Sequence, residues 1–121
     1  MTITLNHIIV PARDKQAAAR LFASLFGLEE EPMHGFAAVR VNEGLALLFD
    51  DAEFFEPGHY AFHVSDAEFD AILGRVREAG LAYGSSPGAP DNGRLNDWGG
   101  GRGFYFRDRD GHLLELMTVP Q

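Results

Sequence analysis

Residues 59–66 read His59-Tyr60-Ala61-Phe62-His63-Val64-Ser65-Asp66, and residues 7–14 read His7-Ile8-Ile9-Val10-Pro11-Ala12-Arg13-Asp14. Each stretch opens on a histidine, runs through strand-forming residues and reaches an aspartate seven positions on. A glycine then closes each frame, Gly27 thirteen residues after Asp14 and Gly80 fourteen after Asp66. A strand followed by a capped helix that stops at glycine accounts for both. The chain is therefore a duplicated module. Aligning the later Gly44 with Gly111 sets Leu45-Ala46-Leu47-Leu48-Phe49 against His112-Leu113-Leu114-Glu115-Leu116, so Leu48 in the first copy corresponds to Glu115 in the second. What remains is a pair of equivalent histidines and one carboxylate. Such a donor set holds a divalent ion while leaving coordination positions open for substrate.

Working outward, Leu5 to Val10 carries apolar residues on both faces, which predicts a strand buried within a sheet. Asp14 caps a helix with Ala17, Ala18, Leu21, Phe22 and Leu25 on one side. Two strands follow, Gly35 to Val41 and Leu45 to Phe49, parted by the turn Asn42-Glu43-Gly44, with room for a further short strand around Glu29 to Met33. Residues 1–50 thus form module one, the acidic stretch 51–58 is a connector ending in Pro57-Gly58, and residues 59–121 form module two, all within a single domain. In module two the first strand puts His59, Ala61 and His63 on one face. Asp66 caps a helix whose apolar side is Phe69, Ile72, Leu73 and Val76. The last strands are Phe104 to Phe106 and Leu113 to Met117, joined by Asp108-Arg109-Asp110-Gly111. Between helix and strands lies Gly84 to Gly103, with seven of the fourteen glycines in the chain. A connection that long is either a functional loop or a mobile one.

Composition narrows the function classes. A chain of 121 residues with 45% hydrophobic and 23% charged residues has the make-up of one globular domain. No apolar run approaches the ~20 residues that span a bilayer, and no secretory leader is visible, so the expected location is cytoplasmic. A net charge of −8 with scattered basic residues disfavours nucleic acid and anionic membrane surfaces as partners. Without cysteine, any metal must be held by nitrogen and oxygen.

The candidate chemistry rests on few residues. His7, His59 and Glu115 are the candidate metal ligands, each with a plainer reading: a strand histidine that simply satisfies its hydrogen bonds, or an edge glutamate exposed to water. What lifts them above it is that the two histidines hold the same position in the two copies, together with a carboxylate late in copy two. His63 shares a face with His59 and is a rival ligand or substrate neighbour, although Pro11 stands at its place in copy one. His112 and His34, in a turn and a loop, are expected to be solvated. Tyr105 is either a core aromatic or a proton donor. On the glycine-rich stretch Trp98 and Arg102 offer stacking and a cation to a substrate, if that stretch folds over a site.

Leu5-Asn6-His7, His59-Tyr60-Ala61-Phe62 and Phe104-Tyr105-Phe106-Arg107-Asp108-Arg109-Asp110-Gly111-His112-Leu113-Leu114-Glu115 resemble the vicinal oxygen chelate superfamily. That superfamily includes glyoxalase I, bleomycin-resistance proteins, fosfomycin-resistance thiol transferases and extradiol dioxygenases. The resemblance covers nearly the whole chain and implies an α+β fold of two β-α-β-β-β modules, each a cupped mixed sheet with its helix outside. It also implies one divalent metal ion (iron, manganese, zinc, nickel or cobalt) on His7, His59 and Glu115, with Tyr105 ten residues before the glutamate as the catalytic group. A homodimer with shared active sites and a small-molecule substrate is the implied assembly. Glyoxalase I carries a further glutamate late in module one, where this chain has Leu47-Leu48-Phe49. The thiol transferases carry a threonine two residues beyond the first ligand, where this chain has Ile9. The extradiol dioxygenases have a proline where Arg109 stands. The expected function is a metal-dependent enzyme acting on a small oxygenated substrate, dioxygenase-like ahead of thiol transferase or isomerase, with a non-catalytic drug- or antibiotic-binding protein as the alternative.

Overall fold

The protein is described by a computed structural model covering residues 2–121. The chain divides into two compact units, one ending at Glu56 and the other spanning Pro57–Gln121. The break falls inside the acidic connector. Each unit is a four-stranded mixed sheet carrying one helix.

Module one runs β1 (His7–Ala12), α1 (Lys15–Phe26), β2 (Glu30–Met33), β3 (Phe36–Asn42) and β4 (Leu45–Asp51), with sheet order β1-β4-β3-β2. The short strand expected around Glu29 to Met33 is β2. α1 begins where Asp14 accepts the Ala17 N–H and ends at Gly27, whose left-handed backbone (φ 67°) suits a residue without a Cβ. Its buried residues are Ala19, Phe22, Ala23 and Leu25, and the Phe22 ring meets Phe49 of β4 at 6.0 Å. The apolar stripe is thus rotated from the expected one, and Ala17 faces solvent. A run of three alanines carries no directional signal of its own, so the bulky Phe22 sets the face. A second correction concerns β1, which is an edge strand rather than an internal one, with Ile9 51% exposed.

Module two runs β5 (His59–His63), α2 (Asp66–Glu78), β6 (Tyr83–Gly84), β7 (Gly103–Arg107) and β8 (Leu113–Met117), in the order β5-β8-β7-β6. The cap of α2 is Ser65, not Asp66: Ser65 Oγ accepts the Glu68 N–H while the Glu68 carboxylate accepts the Ser65 N–H, a reciprocal capping box. Phe69, Ile72, Leu73 and Val76 are buried as expected, and Phe69 meets Phe104 edge-on at 5.2 Å. Each such buried apolar side chain contributes roughly 1.5–3 kcal/mol. The glycine-rich stretch is not a free loop. Asn92 and Asn96 each bond to Ser85, and Asn96 exchanges two backbone bonds with Gly103. Among the described residues no helix is long and apolar enough to cross a membrane.

The two modules repeat each other in register. β1 pairs with β4 in parallel, His7 opposite Ala46 and Ile9 opposite Leu48; β5 pairs with β8 likewise, His59 opposite Leu113 and Ala61 opposite Glu115. The equivalence of Leu48 with Glu115 therefore holds at the level of strand pairing.

Candidate metal centre

β8 lies between β5 and β7, and its alternation puts Leu113, Glu115 and Met117 on the face opposite α2. Ala61 of β5 and Tyr105 of β7 flank Glu115 at the same level. Ala61 is small, so the imidazole of His59 reaches across from the next level, bringing its Nε2 to 3.1 Å from Glu115 Oε1. Glu115 is only 5% exposed. A buried ionised carboxylate costs several kcal/mol unless it is paired. Here His59 supplies a hydrogen-bond partner, and the Tyr105 hydroxyl, on the neighbouring strand, interacts with the carboxylate.

Tyr105 is itself buried, and its hydroxyl is pushed well above the ordinary tyrosine value by that burial, then by its hydrogen bond to Glu115 and the charge there. It is a protonated donor across the physiological range. The His59 ring lies 6.0 Å from the Tyr105 ring, and Trp98 meets Tyr105 edge-on at 5.8 Å. Trp98 stands on a short 3-10 turn (Trp98–Gly100) and is 41% exposed. The three ring side chains of His59, Tyr105 and Trp98 and the carboxyl of Glu115 thus form one contiguous patch of module two.

The remaining candidates lie elsewhere. His63 is on the Glu115 face, one level further along, and its Nε2 donates to the Thr118 carbonyl at 3.2 Å. Arg102 is engaged away from this patch. It points to the helix side, where it pairs with Asp70 at 2.7 Å and Asp66 at 3.0 Å and stacks over the Phe69 ring at 4.4 Å. The alternation explains this: Gly103 faces the site, so its neighbour Arg102 faces α2. His112 corrects a further expectation, being fully buried rather than solvated. In module one, His7 is exposed and its Nδ1 lies 2.8 Å from Asn6 Oδ1. An amide oxygen only accepts, so Nδ1 carries the proton and the Nε2 lone pair is left for another partner. The position equivalent to Glu115 is Leu48, packed with Ala38 and Ala46.

Within either module no three His, Cys, Asp or Glu side chains of the described residues gather as a metal site. The donor pair in module two nonetheless suits one. Two donors bound at right angles to one ion at about 2.1 Å lie about 3 Å apart, and His59 Nε2 and Glu115 Oε1 lie 3.1 Å apart. Nitrogen and carboxylate oxygen are the donors that borderline and hard divalent ions prefer.

No family model matches the chain. Among solved structures it superimposes on oxidase ChaP-H2 with a TM-score of 0.95 and 47% identity, covering 99% of this chain and 96% of that one. It superimposes on the fosfomycin resistance protein FosX from Mesorhizobium loti with a TM-score of 0.75 and 25% identity, over 99% of this chain and 95% of that one. In sequence it is 28% identical to the glutathione transferase FosA of Serratia marcescens over 96% of this chain and 81% of that protein. The paired β-α-β-β-β modules, the His59–Glu115 pair and these relatives have one common explanation: the chain belongs to the vicinal oxygen chelate superfamily.

Proposed function

We propose that this protein is a divalent-metal-dependent oxidase acting on a small oxygenated substrate, with dioxygen as the oxidant. The observation that carries the reading is the buried Glu115 carboxylate, held between His59 and the protonated hydroxyl of Tyr105. His59 and Glu115 supply two donors to the ion, and His7, at the matching place in module one, supplies the third, from the same chain or from a second copy in a homodimer with shared sites. When bound, the ion acts as a Lewis acid toward two substrate oxygens and keeps positions open for dioxygen.

The chain's own residues do the rest. Tyr105, buried beside Glu115, holds its proton at Oη and offers it to a substrate oxygen as charge develops there. Trp98 offers an exposed ring edge-on to Tyr105, a wall for a flat or apolar part of the substrate. The oxidase reading is preferred to fosfomycin thiol transfer for two reasons. The similarity to an oxidase is the higher in identity and extent. Ile9, on the same face of β1 as His7, has no hydroxyl to offer a phosphonate oxygen.

The test is metal analysis of untagged protein purified without chelator, followed by oxygen-electrode assays with catechols and hydroquinones and by NMR assays of fosfomycin with glutathione. Stoichiometric metal with substrate-dependent oxygen uptake supports the reading. Protein that neither carries nor takes up iron, manganese, zinc, nickel or cobalt overturns it, and fosfomycin-dependent adduct formation without oxygen uptake replaces it with thiol transfer.

A further inference from the structure

The two modules share strand register, helix and turn, yet among the described residues module two carries one contact without a counterpart in module one. In both, the residue before the histidine accepts a backbone bond from the partner strand: Ala46 N–H donates to the Asn6 carbonyl at 3.0 Å, and Leu113 N–H donates to the Gly58 carbonyl at 2.9 Å. Among the described residues, only in module two does a side chain also take the N–H of that residue. His112 Nδ1 accepts from Gly58 N–H at 2.8 Å. Its counterpart in module one is Leu45, which has no acceptor.

The surroundings make this contact a rigid one. His112 is fully buried. The turn that delivers it is closed by Asp108, whose Oδ1 accepts the His112 N–H at 2.9 Å and the Asp110 N–H at 3.0 Å, while Asp108 N–H donates to the His112 carbonyl at 3.0 Å. Tyr60 packs edge-on against the His112 ring at 5.6 Å. The same Tyr60 closes over Gly58, where an added Cβ would stand 2.6 Å from the tyrosine oxygen. A side chain at position 58 would have to displace the Tyr60 ring, and the glycine that leaves room for it is the residue with the least intrinsic control over its own φ and ψ. That is a poor choice directly before a ligand unless something else holds the backbone.

We propose that His112 is the positioning residue of the metal pair: by pinning the Gly58 peptide it fixes the direction in which His59 projects toward Glu115. Module one meets the same need differently, with Asn6 bonded to the His7 ring itself. Because Leu45 allows the same register and the same backbone bond, His112 is not needed to build the module. What it adds is orientation, in the module that carries the carboxylate. The role of the pair as ligands rests on the proposed function above, whereas the pinning of Gly58 does not.

The test compares His112→Leu, which copies module one, with His112→Asn, whose Oδ1 falls near the position of Nδ1, and His112→Gln, whose amide extends further. Two readouts are taken on the full chain, exchange of the Gly58 amide hydrogen by NMR and Mn(II) affinity by calorimetry. The expected result is Gly58 exchange at least about tenfold faster and Mn(II) binding about tenfold weaker in the Leu and Gln variants, with Asn restoring both. If the Leu variant does not fold, the Asn and Gln pair alone decides the matter. Gly58 protected equally in all variants, or Mn(II) affinity equal in Asn and Gln variants of unequal Gly58 protection, overturns the proposal. Wild-type protein that binds no Mn(II), Fe(II) or Zn(II) defeats the metal-centre reading instead, and with it the ligand-positioning role, but leaves the Gly58 readout interpretable.

Discussion

Tyr105 and Glu115 stand opposite each other on antiparallel strands, in register, and the carboxylate helps to keep the tyrosine hydroxyl protonated. Ten residues separate them in sequence, and the turn Asp108-Arg109-Asp110-Gly111 folds one onto the other. Neither is solvent-accessible to more than 5%. The relationship makes a donor and an acceptor into one unit, so changes at either should be felt at the other.

Glu115→Gln removes the charge and keeps the shape. The amide oxygen still accepts from its neighbours, so unfolding free energy should stay within about 1 kcal/mol of wild type. Divalent-metal affinity should fall about 100-fold or more, because a neutral amide is a weak ligand. Calorimetric titration with Mn(II) or Fe(II), beside a denaturant melt, checks both. Unchanged affinity would remove Glu115 from the ligand set.

Tyr105→Phe deletes the donor and nothing else of the ring. Metal affinity should hold within about threefold while kcat falls about 10²-fold, the lower range for loss of a positioned proton donor. The alkaline stability limit should shift as well. The folded state holds the Tyr105 proton more tightly than the unfolded chain does, so its contribution is full below the ordinary value of 10.0 and is lost as pH rises toward the higher folded value. The Phe variant should lack that component of the loss in pH-dependent melts above pH 10.

Trp98 is the one tryptophan in the chain, so intrinsic emission reports on it alone among indoles. Its contact with Tyr105 at 5.8 Å couples that emission to the site. Substrate or paramagnetic metal should change the emission, and Trp98→Ala should raise KM about tenfold with kcat within about twofold. Emission indifferent to every site ligand would detach Trp98 from substrate binding.

Ser65→Ala breaks the capping box of α2 and should cost about 1 kcal/mol at neutral pH. The bonds from Ser65 hold the Glu68 carboxyl below the ordinary value of 4.5. A depressed carboxylate contributes stability above its unfolded value and loses it as pH falls through the folded one. The difference between wild type and Ser65→Ala should therefore shrink below about pH 4 in denaturant melts.

Much of the fold is legible in residue order. The repeated His-Asp-Gly frame marks the duplication, Asp14 and Gly27 bracket α1, and Gly44 and Gly111 align strands that prove to share a register. Misreadings arise where a local signal has two physical solutions. Ser65 and Asp66 are adjacent capping residues, and only the reciprocal bond with Glu68 selects Ser65. The alanine run of α1 has no bulk to set its face. Arg102 looks like a free cation among glycines until Asp66 and Asp70, more than thirty residues earlier, claim it.

By itself the sequence determined the two-copy architecture, the asymmetry between Leu48 and Glu115, and the absence of thiolate chemistry, because these follow from residue identity and short-range periodicity. Only tertiary structure decided what each polar side chain touches. Residue order places His112 in a turn open to solvent, and pairing of β5 with β8 turns it into the buried acceptor behind His59. The physical reason is that burial and hydrogen-bond partnership are properties of strands brought together across 54 residues of chain, which no local pattern records.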